Sequence, residues 1–237
     1  MIFRTLFIVV QLVFIHSAST PYQKCDITDA PCISKSVQTY LPFLAEGLPE
    51  YGTAPLDPML VDEIKIELAG LILNMRDLDI VGLKRSKIEK LDVDMKKQQI
   101  HLVYGSDIVM KGRYKAAGRL LILPISGDGN CNIKLKNLKT DLTMPFTIVK
   151  NKDGVEVIEL SSYKFKFEVR DYAHFDLTNL FNGNKLLGET MLTFINTNWK
   201  TLMTEFGKPV LDSAIKNVYS AIKTYLKNQP LQDIVNL

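Results

Sequence analysis

The sequence predicts an α+β fold in which a run of antiparallel β-strands wraps a long C-terminal α-helix, with a short helix pinned near the N-terminus. Three observations predict it. Apolar side chains recur with period two from Ile64 to about Phe175, the mark of strands with one face toward a core. From Asn184 onward the period becomes 3.6, the spacing of one helical face. The strands must bury their apolar face, and the C-terminal helix is the only long apolar partner in the chain.

The 237-residue chain begins with Arg4, an apolar run from Leu6 to Ile15 and the small residues Ser17 and Ala18. These are the features of a secretory signal peptide, with cleavage expected after Ala18 and residues 19–237 forming one mature domain. No later stretch has the roughly 18 consecutive apolar residues of a membrane-spanning helix. A soluble, extracellular protein is therefore expected, without stable membrane insertion. The formal net charge is +3, and the basic residues are scattered among acidic ones. That distribution offers no stripe for nucleic acid. Lys84, Arg85 and Lys87 form a small basic group followed by Glu89, which reads as a solvated turn.

There are three cysteines. Cys25 and Cys32 lie close together near the mature N-terminus, and an oxidising compartment favours their disulfide. Closing so short a loop is worth about 2.5 kcal/mol in the chain-entropy account. Cys131 shares strand parity with Ile133 and Leu135, so it is expected as a small buried hydrophobe. No metal-ligand spacing and no N-x-S/T sequon is present.

Asp29 as cap and Pro31 in the first turn open a helix whose apolar face is Ile33, Val37, Tyr40, Leu41 and Leu44, ending at Gly47-Leu48-Pro49. An extended connector from Pro49 to Pro58 follows. Among the strands, Leu91, Val93 and Met95 share a face, as do Ile108, Met110 and Tyr114. Leu142, Met144, Phe146 and Ile148 form another face, and Tyr163, Phe165, Phe167 and Val169 the clearest one. Turns are expected at Gly105-Ser106, Ser126 to Asn130 and Asn151 to Gly154, which makes the sheet a meander. The terminal helix carries Leu187, Met191, Ile195, Trp199, Leu202, Phe206 and Val210 on one stripe. Gly207-Lys208-Pro209 is expected to kink it, and Asn228-Gln229-Pro230 to stop it. The facing residues are rich in Phe, Tyr and Met, which fill a core or line a pocket equally well.

Ordered motifs across nearly the whole mature chain add a resemblance. The pair CDITDAPC, the helix ending LAEGLPEYG and then PLDP look like the start of the insect takeout and juvenile-hormone-binding family. LPISGDGNCNI, from Leu123 to Ile133, resembles that family's turn between two sheet strands. HFDLTNLFNGNKLLGETMLTFINTNWK resembles its most specific block, here with Asn179 to Asn184, Asn196, Asn198 and Trp199. The resemblance implies a strongly curved antiparallel sheet around the helix, similar to one half of the tubular lipid-binding proteins, and an internal apolar tunnel for a lipid-like ligand. Hormone-binding members typically carry a second disulfide. Cys131 has no partner for one, which places the chain nearer the takeout-like branch.

On this reading the protein is a secreted, monomeric, cofactor-free carrier of a small hydrophobic ligand, whether terpenoid or fatty. Candidate wall residues on the helix are Phe194, Trp199, Met203 and Phe206. On the sheet they are Met110, Tyr114, Met144, Phe146, Phe165 and Phe167, with the Tyr114 hydroxyl as a polar handle. The N-terminal helix is the expected cover. Two other functions compete. A surface module could present itself to a receptor or to microbial lipid, since fold alone does not assign function. A hydrolase of apolar esters would need a nucleophile motif, and neither G-x-S-x-G nor H-E-x-x-H is present. His101 and His174, the histidines beyond the leader, read as hydrogen-bonded structure.

Overall fold

The computed structural model describes residues 23–236. The expected leader lies outside them. The element order is β1 (Cys25–Asp26), α1 (Ala30–Glu46), β2 (Met59–Leu68), β3 (Leu71–Val81), β4 (Lys87–Asp94), β5 (Gln99–Leu120), β6 (Leu123–Lys150), β7 (Glu156–Leu160), β8 (Lys164–Leu177), α2 (Lys185–Thr197), α3 (Trp199–Asn228), α4 (Leu231–Ile234) and β9 (Val235–Asn236).

Two long antiparallel strands form the spine. β5 and β6 pair from Leu120–Leu123 at their shared hairpin to Gln99–Pro145 at the far end. β3 and β4 divide the outer edge of β5 between them, β2 extends the sheet beyond β3, and β7 and β8 divide the outer edge of β6. The expected meander is therefore modified, because consecutive short strands share one long neighbour. The register slips between Arg76 and Asp79 on β3, between Ser106 and Ile108 on β5, and between Lys136 and Leu138 on β6. Such bulges bend a strand and raise its twist, and here they give the sheet its curl. Asp107 secures the bulge on β5 and β6 by accepting from the Asn137 backbone N–H and pairing with Lys136.

Two expected turns are strand interior instead. Gly105-Ser106 lies within β5 and Ser126 to Asn130 within β6. The glycines of the second segment serve close approach: a Cβ on Gly127 would stand 2.5 Å from the Tyr114 hydroxyl, and one on Gly129 would stand 2.3 Å from the Thr178 carbonyl. Asn151 to Gly154 does turn the chain between β6 and β7.

α1 begins as its sequence indicates, the Asp29 carboxylate accepting from the Cys32 N–H at 3.0 Å. It packs on β4, where Gln38 accepts from the Ile88 N–H and donates to the Ser86 carbonyl. The Cys25–Cys32 disulfide is formed. Cys25 and Asp26 also pair in parallel with Val235 and Asn236, so β9 closes back on the N-terminal segment.

The terminal helix is interrupted earlier than its proline suggested. α2 ends at Asn198, which leaves helical geometry at φ −100° and ψ 22°, and its amide donates to the Phe194 carbonyl. Asn196 completes the break by bonding both backbone groups of Phe175 on β8. α3 then runs through Pro209 to Asn228. Its buried stripe, including Leu211, Ile215 and Val218, lies against the concave face of the sheet.

Candidate functional site

The interior between sheet and helix is not packed to the same density along its length. Near the β5–β6 hairpin lies a cavity of about 120 Å³, walled by Met110 and Tyr114 of β5, Ile133 of β6, Ile195 of α2, and Met203 and Phe206 of α3. Near the disulfide lies a second of about 190 Å³, walled by Tyr40 of α1, Leu102 and Tyr104 of β5, Met144 of β6, and Val218 and Ile222 of α3. An apolar cavity of about 150 Å³ stays dry and accepts a benzene-sized guest. No wall residue of either cavity carries a charge.

Between the two cavities the interior is filled. On β5, Ile108 lies between Tyr104 and Met110; on β6, Leu138 and Leu142 lie between Leu135 and Met144; on α3, Ile215 lies between Leu211 and Val218. All four are buried, Leu142 completely at 0% exposure. The open space is thus a pair of chambers divided by aliphatic side chains.

The ten expected wall residues separate into three groups. Met110, Tyr114, Met203 and Phe206 meet at the first cavity, and Met144 reaches the second. Phe146 and Phe194 wall neither: Phe146 is core, opposite Leu160 on β7, and Phe194 packs partly buried against the core. Phe165, Phe167 and Trp199 border shallow outer grooves beside α3. Phe165 is also buried in the core, with Lys208 3.9 Å over its ring, and Lys200 stands 5.5 Å from the ring of Trp199.

The Tyr114 hydroxyl is already occupied. It donates to the Thr178 carbonyl at 2.8 Å, and burial pushes its pKa up to about 12. Cys131 is buried at the first cavity with its thiol pushed up to about 11, again chiefly by burial, which leaves little thiolate for reaction. The residue that periodicity missed is Tyr104. Ile100, Leu102, Tyr104 and Ile108 share an inward parity on β5, and the turn expected at Gly105-Ser106 obscured it.

Histidine chemistry lies elsewhere. His101 Nε2 is 2.9 Å from Asp141 Oδ1 and His174 Nε2 is 3.1 Å from Asp176 Oδ1, and neither ring walls a cavity. Among the described residues no group of three His, Cys, Asp or Glu could hold a metal ion. No described helix is long and apolar enough to cross a membrane.

Known proteins share this architecture. The crystal structure of Epiphyas postvittana Takeout 1 superposes with a TM-score of 0.88 at 40% identity, covering 90% of this chain and 99% of that one. The circadian clock-controlled protein daywake of Drosophila melanogaster is 29% identical over 215 residues, 86% of this chain and 82% of its own. The juvenile hormone-binding protein of Manduca sexta is 29% identical over 90 residues, 37% of this chain and 39% of its own. The model of the haemolymph juvenile hormone binding protein family matches residues 5–236. With a curled antiparallel sheet closed over a long C-terminal helix, and a family match along nearly its whole length, this chain belongs to the haemolymph juvenile hormone binding protein family.

Proposed function

We propose that this protein is a secreted, monomeric carrier that shelters a small hydrophobic ligand between its sheet and terminal helix, without catalysis. Residues 1–18 serve as the leader and 19–237 as a single ligand-binding domain. The observation that carries the reading is the pair of uncharged chambers, walled by residues such as Met110, Phe206, Met144 and Tyr104. Removing apolar ligand area from water drives association, at about 25 cal/mol per Å² before the costs of binding. The Manduca sexta relative is named for binding juvenile hormone, which supports a small hormone as one kind of guest.

Either chamber alone accepts a short apolar group, and a longer chain would thread past Ile108, Leu142 and Ile215. Met110, Tyr114, Met144, Met203 and Phe206 are the residues proposed to touch it. Methionine suits this position, since its unbranched thioether repacks around different shapes.

Organic extraction of the protein purified from its native source, followed by mass spectrometry, tests the reading. A carrier brings about one apolar molecule per chain. Protein that arrives empty, and binds no apolar fluorescent probe when challenged, would remove it.

A further inference from the structure

Large apolar side chains reach solvent mainly around the β5–β6 hairpin. Among the described residues eight are exposed, and five of these are Leu68, Ile72, Ile122, Leu186 and Leu187. Leu68 and Ile72 flank the β2–β3 turn, and Ile122 stands in the β5–β6 turn, 82% exposed. The two turns are neighbours, since the Arg119 N–H donates to the Gly70 carbonyl at 2.9 Å. Leu186 and Leu187 open α2, and just ahead of it Leu180 bridges to Gly127 of the same hairpin.

The β5–β6 turn breaks the chemistry of its kind. Two-residue hairpin turns favour Asn, Asp and Gly, which accept positive φ and prefer water. Here the pair is Leu121 and Ile122, and Leu121 takes φ 56°, a left-handed conformation that a bulky side chain rarely adopts. Folding gains little from Ile122, which lies almost wholly in solvent. A local rule broken at an exposed tip is the mark of a surface that meets something.

The charges beside the turns indicate what it meets. From Ile108 to Gly127 the hairpin carries Lys111, Arg113, Lys115 and Arg119, all exposed, and no acidic residue. Arg119 and Arg113 form no ion pair, and Arg113 lies directly opposite Arg76 on β3, a like-charge pairing that costs stability until an anion arrives. The nearby acids are Glu67, opposite Ile72, and Asp128, which is 3.7 Å from Lys115. We propose that this end docks, peripherally and reversibly, on an anionic phospholipid bilayer, with Ile122, Ile72 and Leu68 entering the acyl boundary and Arg119 and Lys115 among the headgroups. Binding of this kind adds buried apolar area to attraction for anionic lipid. A protein partner would want a continuous packed core, whereas these apolar residues stand on separate turns with Arg119 between them, an arrangement that a fluid bilayer accepts. Docking needs only this surface, and its use for unloading rests on the carrier reading. Leu71 and Leu120 wall the first cavity and stand one and two residues from Ile72 and Ile122, so a guest leaving between the turns would enter hydrocarbon without crossing bulk water.

Flotation of the protein with phosphatidylcholine vesicles, with and without phosphatidylserine, tests this. The wild type is expected to float with the phosphatidylserine vesicles at low salt and to release as salt rises. Ile122→Ser should weaken binding about tenfold, the burial of one such side chain, and Arg119→Gln about fivefold, one cation near the surface. Both side chains are exposed, so both variants should melt with the wild type. Leu60→Ser, at a comparably exposed site toward the other end of β2, should bind as the wild type does. A wild type that ignores phosphatidylserine vesicles, an unweakened Ile122→Ser, or an equal loss in Leu60→Ser overturns the proposal. So does a wild type that sediments as a dimer while Ile122→Ser is a monomer, since the face then meets a second copy. Protein that takes up N-phenylnaphthylamine in solution but never floats loses the docking surface and keeps the carrier reading; protein that floats but takes up no dye keeps the surface and loses the carrier reading.

Discussion

Ile215→Ala tests whether the two chambers are separated by side chains that a ligand can replace. Ile215 is 5% exposed on the buried stripe of α3, between Leu211 of the first cavity and Val218 of the second. Truncating a buried aliphatic to alanine costs about 3 kcal/mol, from the lost transfer energy and the space left behind. At about 2–4 °C per kcal/mol for a domain of this size, the melting temperature of the empty variant falls by about 6–12 °C. A ligand chain lying across the vacated position would restore that burial at about 0.8 kcal/mol per methylene, so three or four methylenes offset most of the loss. The assay is a thermal melt of wild type and variant with saturating methyl esters from octanoate to stearate. The gap between the two proteins should be full for the shortest ester and shrink as the chain grows long enough to pass Ile215. A gap that stays constant for every ester would show that no ligand crosses this position.

Other outcomes follow from single contacts. Replacing Cys25 and Cys32 together by Ser removes a loop constraint worth about 2.5 kcal/mol; because α1 walls the second cavity, ligand exchange measured by stopped-flow dye release should also accelerate, and unchanged exchange would free α1 of any covering role. Tyr114→Phe strips the donor from the Thr178 carbonyl and should lower stability by about 1 kcal/mol in urea melts. Arg170 grips Glu89 through two bonds of 2.6 and 3.0 Å, and that hydrogen bonding, more than its charge, holds the Glu89 carboxyl below the usual glutamate range. A carboxylate with a lowered pKa stabilises the fold above its unfolded value and ceases to as pH falls through the folded one. Arg170→Ala should therefore be slightly less stable than wild type at neutral pH, with the difference closing in acid.

Much of the architecture could be read from periodicity because it is written in long, one-sided stripes. Tyr163, Phe165 and Val169 against Lys164, Lys166 and Glu168 mark β8 without ambiguity, and Asp29 with Pro31 marks the start of α1. Glycine misled the reading where it answers a neighbour rather than a turn. Gly127 and Gly129 sit under Tyr114 and Thr178, residues remote in sequence whose proximity only the paired sheet reveals. The helix break at Asn198 was hidden for the same reason: Asn196 reaches the backbone of Phe175, a tertiary contact that outweighs the local signal of Pro209. Phe206 and Met203 follow the helical stripe inward, whereas Phe165 and Trp199 sit where Lys208 and Lys200 can cover them from solvent.

The parallel pairing of β1 with β9 bears on when the second chamber comes into being. Ile234 and Val235 are part of its wall, and Val235 lies opposite Cys25. During synthesis some two hundred residues must emerge before these two strands can meet, so that end can acquire its last panel only after every other element has been synthesised. A ligand held there would be taken on by a finished polypeptide, and a proteolytic nick just ahead of Ile234 would unroof the chamber while sparing the sheet.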